Sequence, residues 1–307
     1  MVPGNRTAVA ESHWELRPVV CPVCGSARAK RIGFRGGAAH HAGMGIMTPI
    51  VRCRRCHLIY PNPTPFPRDH SHYSDAAGYF AVDPFDEGRI SAFRSTIEHA
   101  ANLLSRPSGR MLDIGCGCGE ALVAASRIGW EALGVEPSED FARIGQQEYG
   151  LDIRIGRIED LSIPASTFDL ILLAGVLEHV YDPVALLGHA RAALVPGGLL
   201  YLDVPNERSL FHACARMANR ARGRDWSVCL SPTFPPYHVS GFSSRSLRTA
   251  LDRAGFATVE LRSYPIDFAA APRVPNWAGL CLKPTERVAV RLRRSAGLVG
   301  WARRRDP

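Results

Sequence analysis

Arg110-Met111-Leu112-Asp113-Ile114-Gly115-Cys116-Gly117-Cys118-Gly119 is the stretch whose reading decides the fold. An apolar run ends at an acid, three glycines alternate with small residues, and a helical pattern follows over Glu120 to Ile128. Glycine lets a chain reverse tightly while its backbone approaches a ligand more closely than a Cβ would allow. Such a turn opens a nucleotide-binding α/β domain, and the ligand is decided by detail. The spacing is G-x-G-x-G, and Glu120 holds the third position of the dinucleotide fingerprint. A carboxylate there suits a pyrophosphate poorly, since a phosphate wants bare N–H groups at the helix terminus. It suits a ligand carrying a sulfonium and an ammonium. The next strand ends at Glu136, in Trp130-Glu131-Ala132-Leu133-Gly134-Val135-Glu136-Pro137, about twenty residues on, where an acid can accept both ribose hydroxyls. That acid fits a nicotinamide dinucleotide equally well and points only to a nucleoside.

Outward from this turn the apolar pattern alternates between strand and helix periods. Strands are expected at Arg110–Ile114, Ala132–Glu136, Ile153–Ile155, Phe168–Ala174 and Leu199–Val204. Helices are expected at Asp86–Leu104, Glu120–Ile128, Ser138–Tyr149 and Asp182–Leu194, the last with Asp182 as N-cap and Pro183 at its first position. Helix Ser243–Ala254 leads to strand Ala257–Ser263, and Trp277–Lys283 is expected to supply a final strand. Alternation of this kind predicts an α/β fold with a largely parallel sheet covered on both faces.

Four segments, LDIGCGCGE, GVEPS, IEDLSIPASTFDLILLAGVLEHV and ALVPGGLLYLDVPN, occur in that order. Together they resemble the class I S-adenosylmethionine-dependent methyltransferases. The resemblance implies a seven-stranded Rossmann-like methyltransferase sheet whose last two strands form a hairpin-like edge. It implies S-adenosylmethionine as cofactor, with the Gly115-Cys116-Gly117 backbone at the methionine end. Asp113 would order the loop or receive the ammonium through water, and Glu136, followed by Pro137, would take the ribose. Ile158 and Glu159 would lie near the adenine, beside Arg157, where many relatives carry an acid. Ala174 and Gly175 would line the sulfonium and leave room for an acceptor. Direct methyl displacement needs alignment, and a hydroxyl or carbon acceptor also needs a base. His179, in Leu177-Glu178-His179-Val180, and His238, in Pro235-Pro236-Tyr237-His238-Val239, are the catalytic candidates. A hydrogen bond to the backbone is the alternative role for each. In some related quinone-pathway O-methyltransferases an E-x-x-E-H segment helps bind a divalent metal; here Gly175 stands at the first acid.

Nine cysteines are an odd number, which suits a reduced chain better than a disulfide framework. Cys21-Pro-Val-Cys24 and Cys53-Arg-Arg-Cys56 form two C-x-x-C pairs about thirty residues apart, the spacing of a zinc ribbon with four thiolates on one structural ion, a redox dithiol or a catalytic metal being the alternatives. His57 adjoins the second pair, but four cysteines close the shell; His40 and His41 are expected to face solvent. A ribbon of about forty residues has little core of its own, so the metal supplies its folding free energy. Cys116, Cys118, Cys214, Cys229 and Cys281 have no ligand spacing and read as small buried or half-buried residues.

The expected organisation is a loose leader over 1–20, a ribbon over 21–60, a proline and aromatic linker over 61–85, a methyltransferase domain over 86–284, and a basic tail over 285–307. Over residues 21 to 284 this order resembles a bacterial subgroup that includes sugar C-methyltransferases and other methyltransferases of natural-product and surface-glycan pathways. Residues 206–240 form an insertion where such enzymes build the acceptor pocket. Leu210, Phe211, Cys214, Met217 and Ala218 recur there at helical spacing, predicting a cap helix with an apolar underside and Arg216, Arg220, Arg222 and Arg224 on or near the other side.

The formal charge is +8, of which Lys283 to Pro307 carry +6, so the rest of the chain is close to neutral. That tail is expected either to form a basic amphipathic helix able to touch anionic lipid or a partner, or to be solvated. No h-region precedes Pro18 and no apolar run reaches membrane-span length, so a cytoplasmic location is expected. The leading reading is methyl transfer to a small-molecule, sugar-nucleotide or carrier-bound acceptor, with oxygen, nitrogen or carbon as the methylated atom left open. The alternatives are an RNA methyltransferase and a non-catalytic S-adenosylmethionine-binding scaffold. Against nucleic acid, no aromatic stacking platform interleaves the ribbon arginines, and no N-P-P-Y-type motif is present.

Overall fold

The computed structural model describes residues 13–68, 85–265 and 285–306. Its centre is a seven-stranded sheet. In chain order the strands are β6 (Arg110–Ile114), β7 (Glu131–Glu136), β8 (Ile153–Ile155), β9 (Phe168–Ala174), β10 (Leu194–Pro205), β11 (Phe256–Tyr264) and β12 (Gly297–Arg304), and in space they run β11-β12-β10-β9-β6-β7-β8. Strands β8, β7, β6, β9 and β10 are parallel neighbours, and β12 is antiparallel to both β10 and β11. The spatial order reverses beside β6, so the carboxyl ends of β6 and β9 open a crevice there, the place where α/β sheets bind ligands. The expected strands match those in the structure to within a residue at most ends, because runs such as Leu170-Ile171-Leu172-Leu173 are buried on both faces.

Helices α1 (Glu87–Leu104), α2 (Glu120–Arg127), α3 (Glu139–Tyr149), α4 (Pro183–Ala193), α5 (Leu210–Ala221) and α6 (Ser244–Arg253) accompany the sheet. Their starts are set by side-chain caps. Asp86, Ser138, Asp182, Ser209 and Ser243 each accept a backbone N–H in the first turn, and Ser243 and Ser246 cap each other reciprocally. Helix α2 starts differently, at Gly119 with a positive φ and no side-chain cap.

The segment read as a basic tail is structural. Gly297–Arg304 pairs with β10 through Leu199–Pro205 and with β11 through Phe256–Tyr264, and Leu298, Trp301 and Ala302 are buried. Of the apolar residues that suggested an amphipathic helix, Leu298, Val299 and Trp301 lie in this strand and are buried, while Val288, Val290 and Leu292 precede it and are exposed. A short helix spans 285–291, and it ends before this strand. The last three arginines are engaged locally: Arg303 donates to the carbonyls of Gly197 (2.8 Å) and Leu103 (3.0 Å), Arg304 to the Leu194 carbonyl, and Arg305 pairs with Asp252. The strand expected at Trp277–Lys283 lies outside the described residues, as do Tyr73, Tyr79, Phe80 and Cys281.

The amino-terminal part also differs from a leader, ribbon and linker in series. Strands β2 (Ala29–Arg35), β3 (Thr48–Cys53) and β4 (Ile59–Pro61) form an antiparallel sheet. Strand β1 (Trp14–Arg17), from the expected leader, pairs with β5 (Thr64–Pro67), from the expected linker. The ribbon does not carry a separate core. Cys21, Val23, Cys53, Leu58 and Tyr60 belong to the same buried cluster as Phe242, Leu247 and Leu251 beside the main sheet. Ile59 and Gly241 exchange backbone hydrogen bonds of 2.9 and 2.7 Å, and Arg253 donates to the Val23 carbonyl. His40 is buried against Phe234 rather than solvent-facing, and burial pushes its imidazole down to about 4; His41 is exposed.

Candidate active site

Turn and strand ends build a cradle at the carboxyl edge of the sheet. Gly115 follows β6 directly and donates to the Val135 carbonyl at 2.7 Å, which ties the turn to β7. Glu136, at the end of β7, is buried and holds the turn with both oxygens: Oε2 accepts the Gly117 N–H at 2.9 Å and Oε1 accepts the Ser138 N–H at 2.8 Å. Gly117 has a positive φ of 57°, and nothing lies within 4 Å of where a Cβ would stand. That side is open space, and an L side chain would both strain the turn and fill it. Cys116 points the other way, packing with Leu122, Ala142 and Ile153, so only its backbone faces the cradle.

Asp113, Glu120 and Glu136 are all buried at the turn. Burial first, then the charges of Glu120 and Glu136, push the Asp113 carboxyl up to about 8. Burial likewise raises Glu120 and Glu136. A site with three buried acids fits a cationic ligand and disfavours a pyrophosphate. Glu120 has a protein partner as well, Arg89 Nη2 of α1 at 2.8 Å. No motif in the sequence connects that pair; the packing of α1 on α2 creates it. Pro137 is exposed beyond Glu136, Ile158 is buried in a 3-10 turn (Ile158–Asp160), and Glu159 is exposed and paired with Arg157. Ala174 closes β9, and Gly175, exposed with a φ of 67°, begins the turn that follows.

The second part of the site lies across that turn. Val176 sits against Gly115, since a Cβ on Gly115 would stand 2.7 Å from its Cγ2. A 3-10 turn (Leu177–His179) then brings the two sequence-nominated histidines together, with the rings of His179 and His238 edge to face at 4.7 Å. The His179 ring is hydrogen-bonded to the backbone of Pro236 and Tyr237. His238 is held by its main chain, its N–H donating to Ser231 Oγ at 3.2 Å and its carbonyl accepting from Ser231 N–H at 3.1 Å. Burial lowers both imidazoles, His179 to about 4 and His238 to about 3, so both are neutral at pH 7.

Three residues around this pair were not nominated from the sequence. Glu178 is buried, its carboxyl is pushed up to about 8 mainly by burial, and its Oε2 has no hydrogen-bond partner among the described residues. Glu178, His179 and His238 offer three possible ligand atoms within 4.8 Å of one another. Asp203 of β10 accepts a hydrogen bond from Tyr264 of β11 at 2.6 Å, and its charge acts on Glu178. Only the L-E-H segment carried a signal for Glu178. Asp203 and Tyr264 are 61 residues apart and meet because β12 spaces β10 from β11.

At the ribbon, the four cysteines converge. Cys21 and Cys56 sulfurs lie 3.4 Å apart and those of Cys24 and Cys53 3.5 Å apart, with all four within 4.8 Å. These separations exceed a disulfide bond and approach the roughly 3.8 Å edge of a tetrahedron with zinc–sulfur bonds of about 2.3 Å. His57 turns away, its Nδ1 2.9 Å from Arg208.

The cap helix does not bury the expected face. Cys214, Met217 and Ala218 of α5 are exposed, and no residue of the helix is fully buried. No helix among the described residues is long and apolar enough to cross a membrane.

A family model described as a methyltransferase domain matches residues 85–261. The chain is 36% identical over 123 residues to a ubiquinone biosynthesis O-methyltransferase of Bradyrhizobium, covering 38% of this chain and 48% of the relative. A protein of the same name from Parvibaculum lavamentivorans is 36% identical over 152 residues, 46% of this chain and 60% of the relative. The matched segments thus span about half of the relatives' length. Among solved structures, an S-adenosylmethionine-dependent methyltransferase from Archaeoglobus fulgidus superposes with a TM-score of 0.50 at 20% identity, covering 71% of this chain and 94% of its own. One from Methanosarcina mazei gives 0.50 at 16% identity, with 69% and 98% covered. At these identities the structural likeness speaks for the fold.

Proposed function

The chain belongs to the methyltransferase-domain family, and from that premise we propose that it transfers the methyl group of S-adenosylmethionine to a hydroxyl of a small-molecule acceptor. The observation that carries this reading is the junction at Val176, where a glycine turn with three buried acids abuts a pair of neutral histidines. Bound in the cradle, the cofactor supplies an electrophilic methyl group on a sulfonium. The chain's part is to bind, orient and handle a proton. Glu136 keeps lone pairs for ribose hydroxyls beyond the two N–H groups it already accepts, Ile158 offers an apolar contact for the adenine, and Glu159 stands at its edge. Asp113, with its neighbouring acids, favours the cationic end of the ligand.

His179 or His238 takes the acceptor's proton. His179 is oriented for this by its backbone partners, and His238 by the Ser231 clasp. Imidazoles titrating at about 4 and about 3 are weak bases. A weak base is better matched to a more acidic donor. A phenolic or enolic hydroxyl fits that requirement better than a sugar alcohol. The names of the relatives, which are O-methyltransferases, support oxygen as the accepting atom. The four cysteines are proposed as the ligands of one structural zinc, which suits their mutual distances.

The test pairs binding with turnover. Glu136→Ala should weaken S-adenosylmethionine binding about 10- to 100-fold, since a hydrogen bond to a carboxylate is worth roughly 1.5–3 kcal/mol. His179→Ala and His238→Ala should leave binding near normal, and at least one should slow single-turnover transfer to phenolic acceptors by about 10²–10⁴-fold. Calorimetry with unchanged affinity in Glu136→Ala would remove Glu136 from the site. Transfer to sugar-nucleotide but not phenolic acceptors would overturn the acceptor class.

A further inference from the structure

Glu207, His212 and Cys229 form a second cluster that neither the cradle nor the histidine pair uses. Glu207 follows β10, His212 lies in the first turn of α5, and Cys229 precedes the Leu230–Ser231 segment that holds His238. Their ligand atoms all lie within 4.8 Å of one another. Glu207 is 4% exposed and Cys229 1%, while the His212 side chain keeps 12% exposure and leaves a route from solvent.

The hydrogen bonding here is incomplete in an informative way. Glu207 Oε1 accepts the Leu230 N–H at 3.3 Å, but Oε2 has no hydrogen-bond partner among the described residues. His212 Nε2 nevertheless lies 3.2 Å from that oxygen. The two atoms are in contact without the alignment of a donor and acceptor. The other ring nitrogen, Nδ1, is engaged at 2.8 Å by Ser209 Oγ, which fixes the ring and presents Nε2 to the cluster. An imidazole anchored through one nitrogen and aimed by the other is the usual arrangement of a metal ligand. A tetrahedral ion with bonds of about 2.0–2.3 Å holds neighbouring ligand atoms roughly 3.3–3.8 Å apart, close to the 3.2 Å between His212 Nε2 and Glu207 Oε2.

We propose that Glu207, His212 and Cys229 bind a divalent metal ion of zinc-like character, in a site separate from the four-cysteine cluster, with one coordination position left for water. One sulfur, one nitrogen and one oxygen donor suit zinc among common ions. The Cys229 thiol now donates toward the Glu207 carbonyl at 3.7 Å; binding releases that proton, and the thiolate and carboxylate together neutralise the ion. Arg35 and Arg216 are cations whose fields reach the cluster, and they oppose binding. Two anionic groups in direct coordination outweigh them at longer range. The ion would tie the start of α5 to the segment that clasps His238.

Metal content of the full chain tests this without reference to activity. After reconstitution with zinc and removal of loose ion, elemental analysis should find at least two equivalents per chain. His212→Ala and Cys229→Ser should each hold one equivalent fewer, with their melting transitions retained. Equal zinc in the unaltered chain and both variants would overturn the proposal. A cobalt titration of the unaltered chain guards against variants that do not fold. Past the intense thiolate bands of the four-cysteine site, a further equivalent should add weaker single-thiolate absorption. Saturation at one equivalent with only the four-thiolate spectrum would also overturn it.

Discussion

His179 and His238 show how burial sets a residue's chemistry. Each imidazole is neutral because the surrounding protein penalises its charged form, and His179 lowers His238 further. Both folded-state values lie below the ordinary 6.5, so the unfolded chain binds more protons as the pH falls. The stability these residues contribute is complete above 6.5 and is lost as the pH drops through about 4 and about 3. Glu178 has the opposite sign: its carboxyl is raised to about 8, so its contribution is present in acid and lost as the pH rises through about 8. The thermal midpoint should therefore fall on acidification below pH 6.5, and His179→Gln and His238→Gln should each flatten that acid limb. Glu178→Gln should flatten the alkaline limb instead. A midpoint with the same acid slope in all three variants and the unaltered chain would refute this assignment.

At the scale of elements, β12 carries the largest consequence. It lies between β10 and β11 and buries Leu298, Trp301 and Ala302, and Arg303 and Arg304 satisfy carbonyls at the ends of α1 and α4. A solvated tail would be dispensable, whereas this strand is not. Deleting residues 295–307 leaves β11 without a ladder, removes one of the two ladders of β10, and takes the Trp301 indole from the cluster that holds Met111 and Leu170. Loss of a buried Trp alone costs about 3–5 kcal/mol, a large part of a domain's net stability. The truncated chain should lose cooperative melting by near-UV circular dichroism. A sharp transition at the original midpoint would restore the tail reading.

For the whole molecule, the continuity of the core from ribbon to sheet governs behaviour. Modules with separate cores would let Cys53→Ser unfold the ribbon alone. The shared cluster of Cys53, Leu58 and Tyr60 with Phe242, Leu247 and Leu251, and the Ile59–Gly241 bridge, couple the two parts. Calorimetry of Cys53→Ser should show one transition with a lowered midpoint. Two transitions, the upper at the original temperature, would mean the parts fold independently.

The methyltransferase sheet was largely legible because its signals are local. β6, β8 and β9 follow from apolar runs, the glycine turn from steric need, and the starts of α3, α4 and α6 from capping residues adjacent in sequence. Glu136 and the four cysteines were legible for the same reason, since strand-end position and C-x-x-C spacing are written along the chain. What remained hidden depends on contacts between distant residues. Arg89 meets Glu120 because two helices pack, and His179 meets His238 because a loop folds back over the sheet edge. Gly297–Arg304 is a strand because the slot between β10 and β11 supplies its ladder on both sides; as a sequence, a short apolar run ending in arginines fits a helix equally well. Local patterns determine which elements can form, and tertiary packing decides which ambiguous segments adopt which element and which side chains share a site.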